Sequence, residues 1–221
     1  MKVLSHRGHW LTAAEKNSVA AFRRSFDGGY GTETDVRDCA GRLVMSHDMP
    51  MGGEITLDAF LTLHAGRDLP LAINIKADGL AHALQDTLHR HHVPDWFVFD
   101  MSVPDMRAHL RIGSPVFTRL SEVERHPVWL DQAAGVWLDG FEGSWFGAAD
   151  VGDLLRARKR VCVVSPELHG RDPESTWHSL RPLAAESALL LCTDRPLEAA
   201  AFFGLAGPQP AARADAAPAF I

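Results

Sequence analysis

Gly31-Thr32-Glu33-Thr34-Asp35-Val36-Arg37 alternates as a β-strand does, and the rest of the chain arranges itself around it. Extended backbone sends successive side chains to opposite faces, so Glu33 and Asp35 share one face and Thr34 and Val36 the other. Two carboxylates held this close repel, and one pKa is pushed up unless a cation lies between them. A hard divalent ion, Mg2+ or Ca2+, prefers oxygen ligands and would relieve the repulsion. A solvated strand with two exposed acids is the alternative reading.

Working outward, Ser5-His6-Arg7-Gly8 ends an apolar run upstream, Ser46-His47-Asp48 follows, and Ile73-Asn74-Ile75-Lys76 ends a second apolar run. Alternation again puts Asn74 and Lys76 on one face, and a Lys at a strand end needs an anionic partner, either a phosphate oxygen or a neighbouring carboxylate. Strand-like runs recur at 3–5, 32–36, 71–75, 97–99, 116–118, 136–138, 161–164 and 189–192, and 43–45 returns beside the second through a turn at 40–42. Segments of helical period follow each of them, with Ser18 and Thr56 as N-caps, the one after 116–118 being a short region containing Val123 and Trp129. Phe22, Phe26, Leu61, Leu154 and Phe202 fall at core spacing.

Apolar strands each followed by a helix imply a parallel sheet covered by helices. Eight such units fit a closed (β/α)8 TIM barrel of the α/β class, a compact single domain over residues 1–206, at the lean end of the ~200 residues or more that such barrels use. A doubly wound sheet would show a Gly-rich phosphate turn after an early strand, and none is present. Residues 207–221, rich in Ala and Pro, read as a loose tail.

The chain has 221 residues, 46% of them hydrophobic, enough for a substantial core. A net charge of −6 with scattered basic residues offers no footprint for nucleic acid. No apolar run approaches the ~20 residues of a membrane span, and Ser5-His6 interrupts the first apolar residues before a signal sequence could form. The expectation is a soluble cytoplasmic protein with a small-molecule partner. Cys39, Cys162 and Cys192 are far apart and suit reduced thiols, with Cys162 and Cys192 buried.

Taken in order, His6-Arg7-Gly8, Asn17, Glu33-Thr34-Asp35, His47-Asp48 and Asn74-Ile75-Lys76 resemble the glycerophosphodiester phosphodiesterase family over the first third of the chain. The resemblance implies that His6 and His47 are catalytic, that Glu33 and Asp35 bind a divalent metal, and that Arg7 and Lys76 face the phosphate. The chemistry is coherent on its own terms: phosphodiester cleavage needs neutralised non-bridging oxygens, a base for the attacking hydroxyl and an acid for the leaving alkoxide. Two histidines, with ordinary pKa values near ~6.5, can supply the base and the acid.

Two departures stand out. Asn74 occupies the place of the family's third carboxylate, where its carbonyl oxygen can still ligate Mg2+ or Ca2+, and Lys16 precedes Asn17 where the family has Glu. Further strand ends carry Asp100, Arg119, Asp139, Glu167 and Asp194. Glu167 is read as facing the site, as an extra ligand or a contact to a substrate hydroxyl, with capping or an ion pair to Arg171 as the alternative. Trp145, with Phe146, is read as a wall against the alcohol moiety. The expected activity is metal-dependent phosphodiester hydrolysis. A barrel that binds a phosphorylated ligand without turnover, or a metal-independent cyclising phospholipase-like enzyme, are the alternatives.

Overall fold

The apolar runs pair in parallel and in the order that alternation predicts. The computed structural model describes residues 1–205, so the tail expected at 207–221 lies outside the described residues. The strands are β1 (Lys2–His6), β2 (Gly31–Cys39), β3 (Arg42–Met45), β4 (Leu71–Ile75), β5 (Trp96–Phe99), β6 (Phe117–Leu120), β7 (Gly135–Leu138), β8 (Arg160–Val164) and β9 (Leu189–Thr193). Their spatial order is β5-β4-β2-β1-β9-β8-β7-β6, and β3 folds back antiparallel on β2 as the sequence predicts. The two ends of this sheet meet at one parallel bridge, Val98 to Val116, where the Val98 N–H donates to Pro115 O at 3.0 Å. Eight parallel strands thus form a nearly closed (β/α)8 barrel.

The helices are α1 (Val19–Asp27), α2 (Leu57–His64), α3 (Ala81–Arg90), α4 (Val103–Arg111), α5 (Ala148–Arg156), α6 (Glu174–Leu180) and α7 (Pro196–Phe203). Ser18 and Thr56 cap α1 and α2 as expected, each hydroxyl accepting a backbone N–H at 3.2 Å. Between β6 and β7 the described chain has no helix. Local polar bonding takes its place: Ser121 and Glu124 form a turn, Glu124 pairs with Arg119, and Thr118 donates to Val128 O. No helix among the described residues is long and apolar enough to cross a membrane.

Aromatic stacking fills the barrel interior. Phe97 lies on Phe117 with centroids 3.7 Å apart, and Phe99 on Trp137 at 3.8 Å. Gly135 is required beneath them, because a Cβ there would sit 2.5 Å from the Phe117 ring. Outside the barrel, Phe22, Phe26 and Leu61 are buried as predicted, while Leu154 and Phe202 are only partly buried against the second helical cluster. Period-two alternation then builds the mouth. One step above the interior side chains Leu4, Ala72, Phe117, Trp137 and Cys192 come His6, Asn74, Arg119, Asp139 and Asp194.

Candidate active site

Strand register assembles the site: His6 lies beside Glu33 across β1 and β2, and Asp35 beside Asn74 across β2 and β4. The alternative of a solvated strand is overturned, since Glu33 is 2% and Asp35 0% exposed. The turn after β1 directs the first cation inward. Arg7 takes a left-handed φ of 57° and Gly8 one of 84°, and a Cβ on Gly8 would strike Ala21 of α1 at 2.8 Å, so only glycine fits.

Arg7 donates its backbone N–H to Glu33 Oε2 at 3.2 Å and brings Nε within 3.0 Å of Asp35 Oδ2. That Nε makes no aligned hydrogen bond, so the contact is an ion pair without a directed bond. Asn17 donates to the same Asp35 oxygen at 2.9 Å, its own amide oriented by the Thr34 hydroxyl, and Lys76 Nζ lies 3.5 Å from Asp35 Oδ1. Glu33 is pushed well above the usual carboxylate range, first by burial and then by Asp35, against the pull of Arg7 and Lys76. Asp100 is also raised by burial, opposed by Arg119.

The donor set fits a hard divalent cation. Asp35 Oδ1 and Asn74 Oδ1 are buried oxygens with no hydrogen-bond donor, on neighbouring strands, and Glu33 stands beside them. Asn74 spends its Nδ2 on Asp100 Oδ2 at 3.2 Å, which leaves the carbonyl oxygen free. No three His, Cys, Asp or Glu side chains converge as a metal cage among the described residues.

His6 bonds through Nδ1 to Asp194 Oδ1 at 2.7 Å, and its Nε2 lies 3.9 Å from Glu33 Oε2. Burial lowers the His6 pKa and Asp194 only partly restores it, so the ring is neutral near pH 7. A carboxylate acceptor selects the Nδ1–H tautomer and leaves the Nε2 lone pair free. His47, on the loop after β3, is 43% exposed, pairs through Nδ1 with Asp48 at 2.9 Å, and shares an open cleft of roughly 720 Å3 with Arg7 and Asn17.

Two expectations are revised by the geometry. Glu167 does not extend toward substrate: Oε1 accepts from the Thr193 hydroxyl and, at 3.1 Å, from the Asp194 N–H, while Oε2 accepts from Ser165. It therefore positions Asp194, and through it His6. Trp145 is tied down rather than offered as a bare wall, with Nε1 donating to Asp139 O at 2.7 Å and Arg125 stacked 4.0 Å over its ring. Sequence reasoning missed the pairing of His169 Nε2 with Asp139 Oδ1 at 2.7 Å. The polar run after β8 signalled that something there faced the mouth, but not which residue.

No family model matches the chain, and no curated protein matches its sequence. Solved structures do match its fold. A glycerophosphodiester phosphodiesterase from Agrobacterium tumefaciens aligns with TM-score 0.68 at 19% identity, over 92% of this chain and 99% of that one. An Oleispira antarctica phosphodiesterase, solved in complex with the product sn-glycerol-3-phosphate, aligns with TM-score 0.68 at 16% identity, over 92% of this chain and 97% of that one. A glycerophosphoryl diester phosphodiesterase from Parabacteroides distasonis gives 0.63 at 14% identity, over 94% and 87%. The chain shares the barrel fold of these phosphodiesterases over nearly its whole described length.

Proposed function

We propose that this chain is a metal-dependent phosphodiesterase that hydrolyses a small glycerophosphodiester, or a related polyol or sugar phosphodiester, to an alcohol and a phosphomonoester. The observation that carries this reading is the His6–Asp194 pair set beside the buried acids Glu33 and Asp35 and the cations Arg7 and Lys76. Glu33, Asp35 and Asn74 would hold Mg2+ or Ca2+, which supplies positive charge to the phosphate oxygens. Arg7 and Lys76 reach the same oxygens by releasing Asp35.

His6 Nε2 takes a proton of the attacking water as the water oxygen bonds to phosphorus. Asp194 steadies the imidazolium that forms. As the bond from phosphorus to the leaving oxygen breaks, His47 gives that oxygen a proton, and the exposure of His47 lets it exchange with solvent between turnovers. Buried Cys162 and Cys192, both with thiol pKa values raised by burial, suit a reducing, cytoplasmic setting.

The test is hydrolysis of glycerophosphocholine, glycerophosphoinositol, a lysophospholipid and a chromogenic diester, in chelator and with added Mg2+ or Ca2+. Metal-restored turnover that falls roughly 10²- to 10⁴-fold in His47→Ala supports the reading; silence from folded protein overturns it. Asn74 in place of a third acid favours one alternative, a barrel that binds a phosphorylated ligand without turnover. Calorimetric binding with no product on long incubation would establish that alternative, and full activity in chelator would establish the cyclising one.

A further inference from the structure

Across the mouth from His6 and Glu33 stands a second polar constellation that the chemistry above does not use. Asp139, at the end of β7, is buried, and its Oδ1 accepts from the Gly140 N–H at 2.8 Å and from His169. No described residue donates to its Oδ2. His169, partly exposed, leaves Nδ1 free while Phe141 packs edge-on against its ring. Arg119 lies 5.6 Å from the same Phe141 and bonds Asp100 at 3.2 Å. The position is continuous with the phosphate site, because the other oxygen of Asp100 holds Asn74. Where β6 lacks its helix, a cavity of about 350 Å3 lined by Asp100, Arg119 and Glu124 adjoins it.

We infer that Asp139, His169 and Arg119 form the subsite for the alcohol part of the substrate, and that they select an alcohol carrying several hydroxyls over one carrying a quaternary ammonium. This rests on the phosphodiesterase reading. A free carboxylate oxygen and a free imidazole nitrogen are acceptors, and the spare guanidinium N–H groups are donors, a mixture that neighbouring hydroxyls can use. A quaternary ammonium instead needs open aromatic faces. Here the rim aromatics already have cations against them, Arg125 on Trp145 and Arg119 on Phe141, so a trimethylammonium would meet guanidinium groups and leave Asp139 Oδ2 without a donor.

The experiment compares glycerophosphoinositol with glycerophosphocholine in the metal-loaded protein and in Asp139→Asn and His169→Ala. Alongside it, calorimetry follows inositol phosphate and phosphocholine binding to the same proteins. The inositol diester should be preferred at least about tenfold, and either variant should lower that preference about tenfold to hundredfold, mainly through KM. Preference for the choline diester, or equal losses on both diesters, overturns the subsite. If neither diester turns over, the phosphodiesterase reading fails and calorimetry decides separately. Inositol phosphate bound more tightly than phosphocholine, with the difference erased in Asp139→Asn, supports the subsite; equal affinities in the unaltered protein overturn it.

Discussion

Replacing Asp194 by Asn keeps the shape of the His6 partner and removes its charge. The two side chains are each only 14% exposed and bond at 2.7 Å, which puts the imidazolium and carboxylate charge centres on the order of 4 Å apart. At an effective dielectric of about 20 that pair is worth about 4 kcal/mol once the proton is fully on His6. With the transfer partly complete in the transition state, kcat/KM should fall roughly 10²- to 10³-fold. The pH profile gives a second reading. Activity needs neutral His6, whose pKa burial lowers and Asp194 raises, so losing the carboxylate should move the acid limb to lower pH. The backbone bond from Asp194 N to Glu167 survives the change, and Tm should move little. Steady-state kinetics on a chromogenic diester from pH 5 to 9, with metal present, measures both. A loss under about threefold, or an acid limb displaced upward, would refute the role given to this dyad.

Asn74→Glu restores a third charge beside Asp35 and removes the donor to Asp100, so it should tighten Mg2+ or Ca2+ binding by about tenfold or more. In chelator the same variant should melt below the unaltered protein, and metal titrations followed by thermal shift test both halves. Stability should also fall on acidification below about pH 6.5, the ordinary His value. His64 and His109 are fully buried, and burial lowers both pKa values, helped at His64 by Arg67 and opposed at His109 by Asp105. The unfolded chain therefore takes up protons that the folded one resists. Glu33 and Asp100, with raised pKa values, act in the opposite sense as they become neutral. Melting curves of His109→Gln against the unaltered protein from pH 7.5 to 5 isolate the effect; parallel curves would contradict it.

Much of the site was legible because a strand has period two. Knowing that residues 31–37 are extended is enough to put Glu33 and Asp35 on one face, and the same rule pairs Asn74 with Lys76 and sets polar residues above an apolar interior. The N-caps Ser18 and Thr56 are equally local, since each hydroxyl bonds an amide three residues on. Period says which face a side chain takes but not which strand lies beside it or how a loop folds over. That is why Asp194, 188 residues from His6, emerged as its partner only when β9 closed against β1. It is also why Glu167, read as facing substrate, turned out to have both oxygens taken by donors from β9 and from the start of its own loop. The missing helix after β6 and the Asp139–His169 pair depend likewise on hydrogen bonds between loops. By itself the sequence determined the alternating strands, the caps and the carboxylate pair, because those rest on bonds and periodicities within a few residues. Closure of the barrel, the partners of each acid and the make-up of the mouth were decided by tertiary structure, because they rest on contacts between segments whose spacing along the chain carries no information about their distance in space.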